Sequence, residues 1–267
     1  MSTCKLYKDI YIIEALRTPV GSSLKSLKSF SAAHLASAVI KEFLHRQAQI
    51  KNHIDEVFLG NTVSAGTGQN IARQAVVLSG LPYSTPGVVV NSVCGSGLEA
   101  VIMGCRAIFC DGMDLVLAGG SESASQCPSL IYAKDLEAVD SLVHDGLWCS
   151  MSNQHMGQIA ETLAVKYKIS KHDQDIFSYQ SNVKAVSAQA DFKFQKEIVS
   201  MKKEDGSFVD KDDRPRKNAS LEMMEHMPAA FGQHGTITAA NASAPADGAA
   251  VILLASFEAI AKYHLSK

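Results

Sequence analysis

Two rhythms of apolar and polar residues take turns along the first 120 residues. Ile10 to Ile13 is a short β-branched run and reads as a strand. From Ala32 to Phe43 the spacing becomes helical, with Leu35, Ala38, Val39 and Phe43 on one side. Glu56 to Leu59 reads as a strand, and Asn70 to Leu78 as a helix ended by Gly80 and Pro82. Val88 to Val90 then reads as a buried strand, residues 97–111 as a helix, and Asp114 to Ala118 as a strand closed by Gly119-Gly120. Strands alternating with helices predict an α/β class: a mixed, mostly parallel sheet flanked by helices.

Past Gly120 the rhythm changes. Residues 121–245 hold few strand-like runs and two good helices, near 154–168 and 171–190. Ser170-x-x-Asp173 is an N-terminal cap signal for the second. A polar, charged stretch at 195–217 reads as a hairpin. Residues 248–255 are a buried strand again, and a helix follows from Ser256. The expected organisation is a discontinuous α/β core, 1–120 plus 246–267, interrupted by a large, mainly helical insertion at 121–245.

With 267 residues, 46% hydrophobic and 19% charged, the chain has ample core volume and is neither disordered nor fibrous. A formal net charge of −2 gives no electrostatic case for a nucleic-acid partner. No apolar run approaches the ~20 residues that span a bilayer, so no membrane association is expected. Cys4, Cys94, Cys105, Cys110, Cys127 and Cys149 form no C-x-x-C pair and no zinc spacing. A cytoplasmic, reducing setting is the expectation. Cys105 and Cys110 are expected to be small core residues of the 97–111 helix.

Candidate chemistry centres on Asn91-Ser92-Val93-Cys94-Gly95-Ser96-Gly97. Here a cysteine sits where a strand turns into a helix. Backbone N–H groups point outward at such a terminus, and the helix dipole favours negative charge. That suits a nucleophilic thiolate, against the plain alternative of a buried structural thiol. Four further segments stand out: Gly66-Thr67-Gly68-Gln69-Asn70, Asp145-Gly146-Leu147 with His155-Met156-Gly157, Asn241-Ala242-Ser243 with Asp247-Gly248-Ala249-Ala250, and Arg17-Thr18-Pro19. The glycine turn at 66–68 lacks the Lys-Ser/Thr of a P-loop.

In this order and spacing the segments closely resemble the thiolase family, acyl-CoA:acyl-CoA C-acyltransferases, and within it the acetyl-CoA class. The resemblance covers essentially the whole chain. It implies that Cys94 accepts the acyl group from acyl-CoA. It implies that His155 and Met156 line the pantetheine tunnel, with Leu147 an apolar residue on it. By the same resemblance Arg216 lies near the adenosine end of CoA, and Phe231, Ala239 and Ser243 lie along the pantetheine arm. Alternatives stay open at each: His155 as an ordinary surface or core histidine, Arg216 as a solvated charge, Ser243 as a turn cap. No permanent cofactor or metal is implied; coenzyme A is substrate and product. A homodimer through the strand near Val88 is implied, while a shortened stretch between Glu122 and Asp145 argues against a tetramer.

The family's second half carries a Gly-His-Pro, an Asn-Glu-Ala-Phe and a Cys-x-Gly-Gly-Gly segment, and none of these occurs here. The expectation is therefore an N-terminal half, inactive alone, whose partner is the missing C-terminal half. Two other readings compete: a ketoacyl synthase-like condensing enzyme, and a catalytically silent CoA-binding module.

Overall fold

The computed structural model describes residues 9–134 and 136–266. Cys4 and the rest of the first eight residues lie outside that range. In chain order the elements begin β1 (Ile10–Arg17), β2 (Gly21–Ser22), α1 (Ala32–Arg46), β3 (Glu56–Gly60), α2 (Ile71–Ser79), β4 (Gly87–Val90), α3 (Ser96–Cys110) and β5 (Leu115–Ser123). Short ribbons follow, β6 (Ser129–Ile131) with β7 (Ala138–Asp140) and β8 (Trp148–Cys149) with β9 (Gln154–His155). The chain goes on through α4 (Met156–Tyr167), α5 (Lys171–Ala190), β10 (Met201–Lys202), β11 (Phe208–Val209), α6 (Leu221–Glu225), β12 (Ala246–Ser256) and α7 (Phe257–Tyr263).

Two compact units result. The first draws on the described parts of Met1–Cys127, Glu197–Lys211 and Ala246–Lys267; the second comprises Pro128–Lys196 and Asp212–Pro245. The hairpin β10–β11 thus groups with the α/β core and not with the inserted residues around it, because Val199, Met201 and Val209 are buried in that core.

The sheet of the first unit runs β1-β12-β5-β3-β4, with β2 also paired to β12. It is mixed: β4, β3 and β5 are parallel, and β12 is antiparallel to β5, β1 and β2. Helices cover both faces. Alternate strand residues point to opposite sides. Val57, Leu59, Leu115, Leu117, Val251 and Leu253 meet α1 and α2, while Phe58, Val116, Ala118 and Leu254 meet α3. A strand covered on both faces reads as an unbroken apolar run, as residues 248–255 do.

The cap predicted at Ser170 and the stop predicted at Gly80 are both present, and Ser31 adds a cap not expected from the sequence. Ser31 and Ser170 cap α1 and α5 by accepting from the N–H of His34 and Asp173. Gly80 ends α2 at φ +84°, a left-handed conformation that glycine adopts without strain. Among the described residues one stretch, Val93–Cys110, matches a membrane span by length and composition, with mean hydropathy 1.5. Its helix lies on the sheet through Ala100, Ala107 and Ile108, yet Leu98 and Phe109 stay 68% and 41% exposed. Cys110, expected in the core, is exposed at the last turn of α3, whereas Cys105 packs on the cluster under the helix.

Candidate functional site

Cys94 lies on the elbow between β4 and α3, exposed to solvent. The elbow is strained. Val93 adopts φ +52°, a region that β-branched residues rarely enter and that costs about 1–3 kcal/mol. Hydrogen bonds hold it there. The Val93 carbonyl accepts from Thr62 Oγ1 at 3.0 Å, Ser96 N at 3.1 Å and Ser96 Oγ at 2.5 Å. Its N–H donates to Asn91 Oδ1 at 2.9 Å, and Asn91 Nδ2 donates to the Thr62 carbonyl at 3.0 Å.

Below the elbow, the end of β3 must come very close to the first turn of α3. A Cβ on Gly60 would stand 2.4 Å from the Ser96 carbonyl carbon, so only glycine fits. A cleft of about 390 Å³ opens beside Cys94. Its walls include Arg17, Asn61, Thr62, Glu122 and Gly248. Burial pushes the Glu122 carboxyl above the usual glutamate range, against the bonds it accepts from Thr62, Val63 and Asn61.

The remaining predicted site residues all belong to the second unit. Arg216, Ala239 and Ser243 come together on one cleft of about 440 Å³, with Met223, Met224 and Met227 as its apolar wall. Asn182 clamps the Arg216 backbone at two points: its Oδ1 accepts from Arg216 N at 2.8 Å and its Nδ2 donates to Arg216 O at 2.7 Å.

His155 caps α4 by accepting the Gly157 N–H at Nδ1, 3.0 Å away. That bond makes Nδ1 an acceptor and leaves the neutral ring's proton on Nε2. The imidazole stacks on Phe231 with ring centroids 4.9 Å apart. Gly157 makes the stack possible, since a Cβ there would lie 2.4 Å from the Phe231 ring. Met156 is exposed on the first turn of α4, and Leu147 ends a π-helical turn, Leu142–Leu147, half-buried. The structure therefore gathers Arg216, Ala239 and Ser243, pairs His155 with Phe231, and leaves Leu147 and Met156 outside that cleft's lining.

Sequence reasoning missed two carboxyl groups that organise the second unit. Asp175 is wholly buried, pairs with Lys171 Nζ at 2.5 Å and accepts from Asn241 Nδ2 at 2.9 Å. Glu161 accepts from Thr236 N, Thr236 Oγ1 and Ile237 N. Burial opposes its charge, but these three bonds outweigh it and hold the carboxyl below the usual range. The polar residues after the 66–68 glycine turn bond to local backbone. Asn70 caps α2 and donates to Gly87 O, Arg73 donates to the Thr85 and Tyr83 carbonyls, and Gln74 to those of Thr67 and Gln69.

Among the described residues, no group of three or more His, Cys, Asp or Glu side chains is placed to hold a metal ion. Fold and elbow together define a mixed α/β unit that presents one thiol beside a cleft. Residues 10–258 match the family described as Thiolase, N-terminal domain. A probable acetyl-CoA acetyltransferase of Escherichia coli (strain K12) is 40% identical over 259 residues, 93% of this chain and 66% of that protein. An acetyl-CoA acetyltransferase of Pseudomonas aeruginosa is 38% identical over 260 residues, with coverage of 93% and 66%. A probable acetyl-CoA acyltransferase of Staphylococcus aureus (strain COL) is 39% identical over 258 residues, covering 92% and 66%. The chain belongs to the thiolase family, and it spans 66% of the length of these curated relatives.

Proposed function

We propose that this chain carries the acyl-accepting part of an acetyl-CoA C-acetyltransferase, with Cys94 as the nucleophile. The observation that carries the reading is the exposed thiol on a strained strand-to-helix elbow, in a chain with acetyl-CoA acetyltransferase relatives at 38–40% identity. The Cys94 thiolate attacks the thioester carbonyl of acetyl-CoA. The tetrahedral oxyanion collapses, the bond to the CoA sulfur breaks, and CoA leaves with the proton that the cysteine gave up. One thioester replaces another, so the step is close to thermoneutral and runs both ways. Splitting the reaction through an acyl-cysteine replaces one hard step by two easier ones.

In the second step a base removes an α-proton from another acetyl-CoA. The resulting carbanion attacks acetyl-Cys94, the carbonyl–Sγ bond breaks, and acetoacetyl-CoA forms. The 267 residues hold no His-Pro and no Cys-x-Gly-Gly-Gly. We therefore assign the base, and the activation of Cys94, to residues outside this sequence, and we expect these 267 residues alone not to turn over. The second unit's cleft takes the CoA arm: Arg216 faces its phosphates, the methionines its adenine or pantetheine, and the Nε2–H of His155 is offered as a donor. A cleft of several hundred Å³ with apolar walls and few polar groups suits such a ligand. The chain pairs as a homodimer at the open edge strand β4, in the cytoplasm.

The test is mass spectrometry after incubation with acetyl-CoA and no carrier protein. Cys94 is expected to gain an acetyl group, and Cys94→Ser to lose the adduct. Arg216→Ala is expected to weaken CoA binding about tenfold or more, the worth of a charged hydrogen bond. CoA binding with no acetyl on Cys94 would favour a silent binding module instead.

A further inference from the structure

We infer that Glu122, acting through Thr62, is a positioning residue that holds the Cys94 elbow in its strained conformation. The inference rests on Cys94 being the nucleophile. It starts from a chain of contacts within the first unit. Glu122 stands near the end of β5 with its carboxylate turned inward. Its Oε2 accepts from Thr62 N at 2.8 Å and, more weakly, from Val63 N at 3.4 Å. Its Oε1 accepts from Asn61 Nδ2 at 2.7 Å, and that amide also donates to Ser121 O at 3.1 Å. Asn61 is itself buried. The carboxylate therefore fixes the three residues that follow β3.

Thr62 hands this fixation on. Its hydroxyl donates to the Val93 carbonyl, and its own carbonyl accepts from Asn91 Nδ2. The elbow is gripped on both sides of Ser92. This matters because Val93 is the residue in the left-handed region, at φ +52°. A β-branched residue stays there only where its surroundings over-determine it. Glycine at that position would need no such grip. A half-buried carboxylate on β5 thus sets the direction in which Cys94 leaves the sheet, and Asn61, Thr62, Glu122 and Cys94 all border the same cleft.

The consequence is measurable without turnover. Iodoacetamide alkylation of Cys94 would be followed by peptide mass spectrometry, with exposed Cys110 in the same chain as the internal reference. Thr62→Val removes only the hydroxyl. It is expected to slow Cys94 alkylation about fivefold, the factor one neutral hydrogen bond is worth, with Cys110 unchanged. Thr62→Ser restores the donor and is expected to restore the rate, a rescue that a purely packing role would not give. Glu122→Gln sets an amide N–H against a backbone or Asn61 donor and is expected to slow Cys94 likewise. Should Glu122→Gln fail to fold, the Thr62 pair decides alone. A wild-type alkylation rate that Thr62→Val leaves untouched, or a Thr62→Ser variant as slow as Thr62→Val, overturns the inference. A Cys94 that gains no acetyl group from acetyl-CoA sinks the nucleophile reading itself, whatever the Thr62 pair shows.

Discussion

The place of Cys94 on an elbow was legible because its neighbours spell out a strand, a glycine-containing turn and a helix. Its conformation was not. Nothing in Asn-Ser-Val-Cys says that the valine takes a positive φ, since that choice belongs to Thr62 and Asn91. The same holds for Glu161, whose partners Thr236 and Ile237 lie about 75 residues away in sequence. Bonds to its charged form depress its pKa below the ordinary 4.5. A depressed carboxyl contributes stability above its unfolded value and loses it as pH falls through the folded value. The gap in melting temperature between wild type and Glu161→Gln is therefore expected to be widest at neutral pH. It should narrow steadily below pH 4.5. A gap that stays constant through acid would show that the three bonds do not depend on the charge.

Most elements were readable because periodicity and end signals agreed, as in α5 with Ser170 and α2 with Gly80. The direction of β12 was not. A strand buried on both faces shows the same apolar run whether its neighbours are parallel or antiparallel. The two-residue strands of the hairpin β10–β11 were too short for their packing to be read, so its place in the α/β core was hidden. The contact between β3 and α3 gives the clearest test at this scale. Gly60→Ala would force a Cβ into the Ser96 backbone. Overpacking of this kind costs about 1–3 kcal/mol. Denaturant melts should register that loss, and Cys94 alkylation should slow with it, because the first turn of α3 must shift. An alanine variant equal to wild type in both measurements would mean that the helix can retreat freely.

For the molecule as a whole, the sequence led to the expectation of one insertion at 121–245, whereas the second compact unit is Pro128–Lys196 with Asp212–Pro245. Which side of α3 stays open was not legible, since the apolar residues of 97–111 do not say which of them meet the sheet. Leu98, Ile102 and Phe109 instead form an apolar row on a helix whose other side meets the sheet. Such rows mark contact surfaces. Sedimentation of this chain is expected to show concentration-dependent association, and a Leu98→Lys, Phe109→Glu double variant to shift it towards monomer without lowering Tm. Association unchanged by both charges would move the contact elsewhere, with the edge strand β4 the next place to look.

The placement of β12 also bears on how the protein is made. This strand lies between β1 and β5, so β1 has its ladder partner far along the chain. Register pairs Ile10 with Ser256 and Arg17 with Ala250. Until those residues emerge, β1 has, among the described residues, only the strand pairing of Arg17 with Ile198, and β5 presents an open apolar edge. Non-local pairing of this kind is slow and leaves edges exposed during synthesis. An unfinished sheet is therefore expected to persist while the residues between β5 and β12 are made. Stalled chains that end before β12 should be far more sensitive to protease than those that include it.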